Sequence, residues 1–183
     1  MPLKLILSID FLEKIFSTLN KLAASILVLS LCLFAGCSGR DSSSADGFKK
    51  APDFKADVFY PKDHPRFRLR QENRNQPVLL VFWATWCPSC QEELPLLNQL
   101  EADYKGKISV VSVNAQEEAP EVQKYLTQKK LNFPVLLDPD GSIANLFEVT
   151  VLPSVLLLAK GGKILYYGFQ LPDKEKLEAA LVV

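Results

Sequence analysis

Histidine, methionine and cysteine are scarce in this chain. It has one histidine (His64), one methionine (Met1) and four cysteines among 183 residues. Lysine plus arginine number 21 and aspartate plus glutamate also 21, and neither sign gathers into a long block. A balanced, dispersed charge gives no electrostatic case for nucleic acid. A structural zinc site wants four ligands, usually two cysteine pairs, so a lone His64 without a motif around it reads as a surface-loop residue and no metal is expected. No internal repeat is visible. The apolar run from Leu22 to Ala35 is too short to span a bilayer comfortably. The 48% apolar content supports one compact domain plus an appendage.

The appendage is the first part of the chain. Lys14 and Lys21 precede the run Leu22–Ala35, which ends in Phe34-Ala35-Gly36-Cys37, a pattern that suits a secretory leader. Small residues just before a cysteine resemble the lipobox of bacterial lipoproteins, although Phe34 stands where leucine is usual. That resemblance implies a signal peptide over 1–36 and a lipid on Cys37. An ordinary signal peptide or a short uncleaved anchor are the alternatives. Ser38 rather than aspartate after Cys37 leans towards outer-membrane sorting. Residues 37–50 include Ser38-Gly39-Arg40-Asp41-Ser42-Ser43-Ser44, the composition of a flexible tether. The folded domain is expected over 51–183.

With Cys32 removed in the leader and Cys37 acylated, only Cys87 and Cys90 remain, in a compartment where disulfides persist. A disulfide closing so short a loop constrains little of the unfolded chain, so this pair reads as chemistry rather than as a staple.

From Pro77 onward strands and helices alternate. Val78–Ala84 reads as a strand buried on both faces, Pro88–Tyr104 as a helix with a kink expected at Pro95, and Ile108–Val113 as the next strand. Pro120–Leu131 reads as a helix, Val135–Leu137 as a short strand ended by the turn Asp138-Pro139-Asp140-Gly141, and Ile143–Phe147 as a short helix. Ser154–Ala159 and Lys163–Gly168 form a hairpin about Gly161-Gly162, and Pro172–Leu181 closes the chain as a helix. Between Lys55 and Gln76 a short strand or hairpin is expected near Phe67–Leu69. The order points to an α/β domain, a central mixed β-sheet flanked by helices.

Trp86-Cys87-Pro88-Ser89-Cys90 lies at the first strand-to-helix junction. The first thiol would sit at the helix N-terminus, where unpaired backbone N–H groups and the helix dipole favour a thiolate. The second would lie one turn inside, shielded from solvent, so the pair can close a disulfide and open it again. Pro88 fixes the first turn without needing an N–H bond.

The segment Val81-Phe82-Trp83-Ala84-Thr85-Trp86-Cys87-Pro88-Ser89-Cys90 resembles the active-site segment of the thioredoxin superfamily, and most of all its membrane-tethered TlpA/ResA-like branch. Ala51-Pro52-Asp53-Phe54, Gln91-Glu92-Glu93-Leu94-Pro95 and Val151-Leu152-Pro153-Ser154 fit further landmarks of that branch. The resemblance implies a thioredoxin fold and thiol–disulfide oxidoreductase activity in the bacterial envelope, with cytochrome c maturation among its settings. It implies a cis bond at Pro153, facing the sulfurs, with Leu152 pairing to a client strand and Trp86 shaping the docking surface. A plain strand-initiating proline and a packing tryptophan are the alternatives, and Trp83 reads as core. Ordinary thioredoxins carry a buried aspartate where this chain has Val81. The branch often places a glutamate three residues after the second cysteine, here Glu93, expected as the proton acceptor for Cys90; a solvated helix carboxylate is the alternative. Glu92 is expected to face solvent.

No cofactor is expected beyond the redox-active couple Cys87–Cys90. The partners implied are client proteins with disulfides, a membrane or periplasmic thiol reductant, and the membrane through the lipid. Covalent haem attachment needs histidine after the second cysteine, where Gln91 stands, and a peroxiredoxin-type peroxidase needs threonine or serine where Ala84 stands. A redox-silent binding module and a disulfide-forming oxidase or isomerase stay open.

Overall fold

The computed structural model describes residues 50–61 and 66–183. The leader, Cys32, Cys37, all but the last residue of the tether and His64 lie outside the described residues. Among those described, no helix is long and apolar enough to cross a membrane.

The core grows outward from β3 (Val78–Trp83), six apolar residues that are all buried. A strand covered on both faces needs helices on both sides and neighbours at both edges. β4 (Ser109–Ala115) pairs with it in parallel, and β6 (Ser154–Leu158) antiparallel. β5 (Val135–Asp138) continues in parallel beyond β4, and β1 (Lys55–Tyr60) pairs antiparallel with β5. β2 (Arg66–Arg68) and β7 (Ile164–Gly168) form the two edges, giving the order β2-β1-β5-β4-β3-β6-β7. The mixed sheet flanked by helices is therefore as the alternation indicated.

Side chains alternate between the faces of a strand. Leu79, Val81 and Trp83 point into one core with Leu94, Leu97 and Leu100 of α2 (Pro88–Asp103), Val122 and Leu126 of α3 (Ala119–Gln128), and Leu177 of α5 (Lys174–Leu181). Val78, Leu80 and Phe82 point into the other, with Leu69 of α1 (Leu69–Glu72), Ile143 of α4 (Ser142–Leu146), Phe54 and Phe147.

α2 runs as one helix through Pro95, as the leucine spacing indicated; Pro95 and Gln91 are both on its exposed side, where water can satisfy the carbonyl that proline leaves unpaired. Two boundaries depart from the sequence pattern. α3 stops at Gln128, short of Leu131. Asn98 on α2 takes over the chain there: its amide donates to the Lys130 carbonyl at 2.8 Å, and its Oδ1 accepts from the Asn132 N–H at 2.9 Å. That grip draws Leu131 and Phe133 into the core. α5 begins at Lys174, because the Asp173 side chain caps it by accepting from the Lys176 N–H at 2.9 Å.

Candidate active site

β3 delivers the chain to the α2 N-terminus, where Cys87 is the N-cap and Pro88 opens the first turn. The Cys90 N–H, one of the donors left unpaired at a helix start, donates to Cys87 Sγ at 3.2 Å. The two cysteines form a disulfide with Cα atoms 5.3 Å apart. In the reduced protein the same N–H and the helix dipole would face a Cys87 thiolate. Ser89 Oγ lies 3.5 Å from Cys87 Sγ. Cys90 is 1% exposed and Cys87 4%, while Trp86 beside them is 65% exposed. Trp83 is fully buried against Tyr125, as a core residue should be.

Glu93 stands one turn beyond Cys90 on α2. It is half-buried, and its Oε2 is wholly buried without a hydrogen-bond partner. Burial pushes its pKa above the ordinary carboxylate value; the Leu171 backbone amide works in the opposite direction and more weakly. Glu93 also helps to raise the Tyr166 phenol, chiefly raised by its own burial. The carboxyl thus sits between α2 and the segment joining β7 to α5. Glu92 is exposed.

The β3–β6 register pairs Phe82 with Ser154, so the next position along sets Pro153 beside Trp83, at the sheet end where the cysteines lie. The Leu152–Pro153 bond is cis. Pro153 is buried, Leu152 half-buried and Val151 exposed. Register and helix start therefore bring Trp86, Cys87, Pro88, Cys90, Glu93, Leu152 and Pro153 to one end of the domain. Cys37 lies outside the described residues. A cleft of about 530 Å³ elsewhere is lined by Lys50, Asp53, Arg70 and Arg74 together with the Gly161-Gly162 turn, not by the cysteines.

One polar cluster here escaped the sequence reading. Glu117, just past β4, is 9% exposed and accepts from the Thr85 N–H at 2.6 Å, from the Thr85 hydroxyl, and from Asn114 Nδ2 at 2.7 Å. The available signal was Asn114-x-x-Glu117 at the end of a strand parallel to β3, whose register sets Asn114 opposite Trp83.

Known proteins resemble the chain along most of its length. The AhpC/TSA family model matches residues 48–167. The thiol-disulfide oxidoreductase ResA of Bacillus thuringiensis subsp. konkukian is 31% identical over 163 residues, covering 85% of this chain and 91% of the relative. A Chlorobium tepidum structure assigned as a thiol:disulfide interchange protein DsbE superposes with a TM-score of 0.62 at 31% identity, over 73% of this chain and 94% of that one. The exposed lipoprotein thioredoxin Etrx1 of Streptococcus pneumoniae shares the fold, with a TM-score of 0.61 at 23% identity over 72% of this chain and 98% of that one.

Proposed function

Because the chain belongs to the AhpC/TSA family and to the ResA-like thiol–disulfide oxidoreductases of the thioredoxin superfamily, we propose that its Cys87–Cys90 couple reduces disulfides of client proteins in the bacterial envelope. Apo-cytochromes awaiting haem are one such class of client. The observation that carries this reading is the Cys90 N–H directed at Cys87 Sγ from the first turn of α2, which favours Cys87 as the attacking thiolate.

In the proposed cycle Cys87 thiolate attacks one sulfur of a client disulfide. A Cys87–client bond forms, the client S–S bond breaks, and the second client sulfur leaves as thiolate. Cys90 passes its proton to Glu93 and attacks Cys87 Sγ. The Cys87–Cys90 bond closes, the remaining client sulfur departs, and two electrons have moved to the client. A membrane or periplasmic thiol reductant then reduces the Cys87–Cys90 disulfide, becoming oxidised itself and supplying two electrons for the next cycle. Trp86, Pro88, Leu152 and Pro153 form the surface on which the client lies, Leu152 pairing its backbone with a client strand. Burial raises the Glu93 pKa, which makes its carboxylate a better proton acceptor than an exposed one.

The same reading assigns 1–36 as a lipoprotein signal, Cys37 as the lipidated residue, 37–50 as a tether and 51–183 as the catalytic domain, held at the outer membrane. Incorporation of labelled palmitate into the wild-type chain but not into Cys37→Ser tests the anchor. The activity is tested by trapping. Cys90→Ser should accumulate a reducible covalent adduct with client proteins, and Cys87→Ser should accumulate none. Adducts in neither variant would leave a redox-silent binding module. A wild-type chain that oxidises reduced clients instead would reverse the direction.

A further inference from the structure

Thr85 is the residue between the core and the exposed Trp86, and all its polar groups are engaged. Its N–H and hydroxyl both donate to the Glu117 carboxylate, and its carbonyl accepts from Gln91 Nε2 on the first turn of α2. Glu117 is held in turn by Asn114 at the end of β4. A carboxylate this far out of water is costly unless hydrogen-bond donors converge on it. Here they do, and two of the three come from one residue. Trp86, by contrast, is 65% exposed. An exposed ring is not fixed by burial; the backbone leading to it must supply the order.

We propose that Glu117 is a positioning residue for client docking. Through Thr85 it holds the segment that carries Trp86 and Cys87 in one arrangement, so a peptide disulfide meets a ready-made surface beside the attacking sulfur. The inference rests on the disulfide-reducing reading above. A small disulfide that never spans Trp86 has little need of this order, whereas a peptide disulfide depends on it. Glu117 therefore governs discrimination between clients rather than the thiol chemistry.

The test compares two oxidants on the reduced full-length chain: a cyclic Cys-x-x-Cys peptide disulfide and cystamine. Glu117→Gln keeps the side-chain shape but turns an N–H₂ towards the donors of Thr85 and Asn114. Losing one or two charge-assisted hydrogen bonds is expected to slow peptide reduction about tenfold, through KM, with cystamine changed less than about twofold. Thr85→Val should move the same way. The double variant should lose no more than Glu117→Gln alone, because both act through one contact. Should Glu117→Gln fail to fold, Thr85→Val carries the comparison. Equal losses with both oxidants, no loss with either, or additive losses in the double variant would overturn the proposal. A wild-type chain that reduces neither oxidant would instead sink the disulfide-reducing reading beneath it.

Discussion

Replacing Glu93 by glutamine removes a proton acceptor while keeping the side chain's shape, so it separates acid–base chemistry from packing. If Glu93 takes the Cys90 proton, its loss leaves resolution of the mixed disulfide to whatever thiolate Cys90 forms unaided. An unperturbed thiol titrates near about 8.5, so about one in thirty molecules is thiolate at pH 7 and about half at pH 8.5. Because Cys90 is buried, and burial disfavours a thiolate, the expected slowing is at least about 30-fold at pH 7 and shrinks as pH rises. Stability should move the other way. Burial raises the Glu93 pKa in the folded state, so the folded chain holds this proton more tightly than the unfolded one. Its stability contribution is therefore complete below the unfolded value of about 4.3 and is lost as pH rises through the folded value. Glu93→Gln carries no such loss and should be more stable than wild type at neutral pH, with less dependence on pH across that window. Rapid acid quench of the mixed disulfide between pH 6 and pH 9 gives the rates, and urea denaturation at the same pH values gives the stabilities. A slowing that does not vary with pH, or none, would remove Glu93 from proton transfer and leave it a helix carboxylate.

Three further substitutions test the scaffold around the site. Asp138 is 1% exposed and accepts from the Ile143 and Ala144 N–H groups at 2.9 and 2.8 Å; Asp138→Ala strands both buried donors and should cost about 3 kcal/mol in urea denaturation, whereas a loss below about 1 kcal/mol would mean that water replaces the carboxylate. Phe133 is fully buried in the α2–α3 core, so Phe133→Ala should lower stability by about 3–5 kcal/mol, and an unchanged denaturation midpoint would show that the cavity collapses. Gly141 has φ +71° and an added Cβ would stand 3.0 Å from Gln116 Nε2; Gly141→Ala should cost about 1–2 kcal/mol, read as a lowered melting temperature, with no change if the turn can reshape.

Elements governed by strong local patterns were legible from the residues alone. β3 is one unbroken apolar run, and α2 combines a cysteine N-cap, proline at its first position and leucines at helical spacing. The hairpin followed from Gly161-Gly162, both at positive φ. β1 was not legible as a strand: none of its six residues is fully buried, its last three are all half-buried, and β5, one of its two partners, lies far along the chain. α1 spans only four residues, too few for periodicity to register. The early end of α3 depends on Asn98, about thirty positions away, through contacts that no local pattern encodes. The same distinction divides the site. Cys87 and Cys90 announce themselves by spacing, whereas Glu93 was singled out through the family resemblance, which places a glutamate three residues after the second cysteine. Glu117 is 32 residues from Thr85 and meets it only because β3 and β4 run in parallel and end together.

Equilibration of the full-length chain against glutathione and dithiothreitol buffers gives the reduction potential of the Cys87–Cys90 couple. A reversible two-electron transition near about −270 mV is expected of a reductant, whereas a value near about −120 mV, or no reversible couple in the folded protein, would contradict the proposed direction of electron flow.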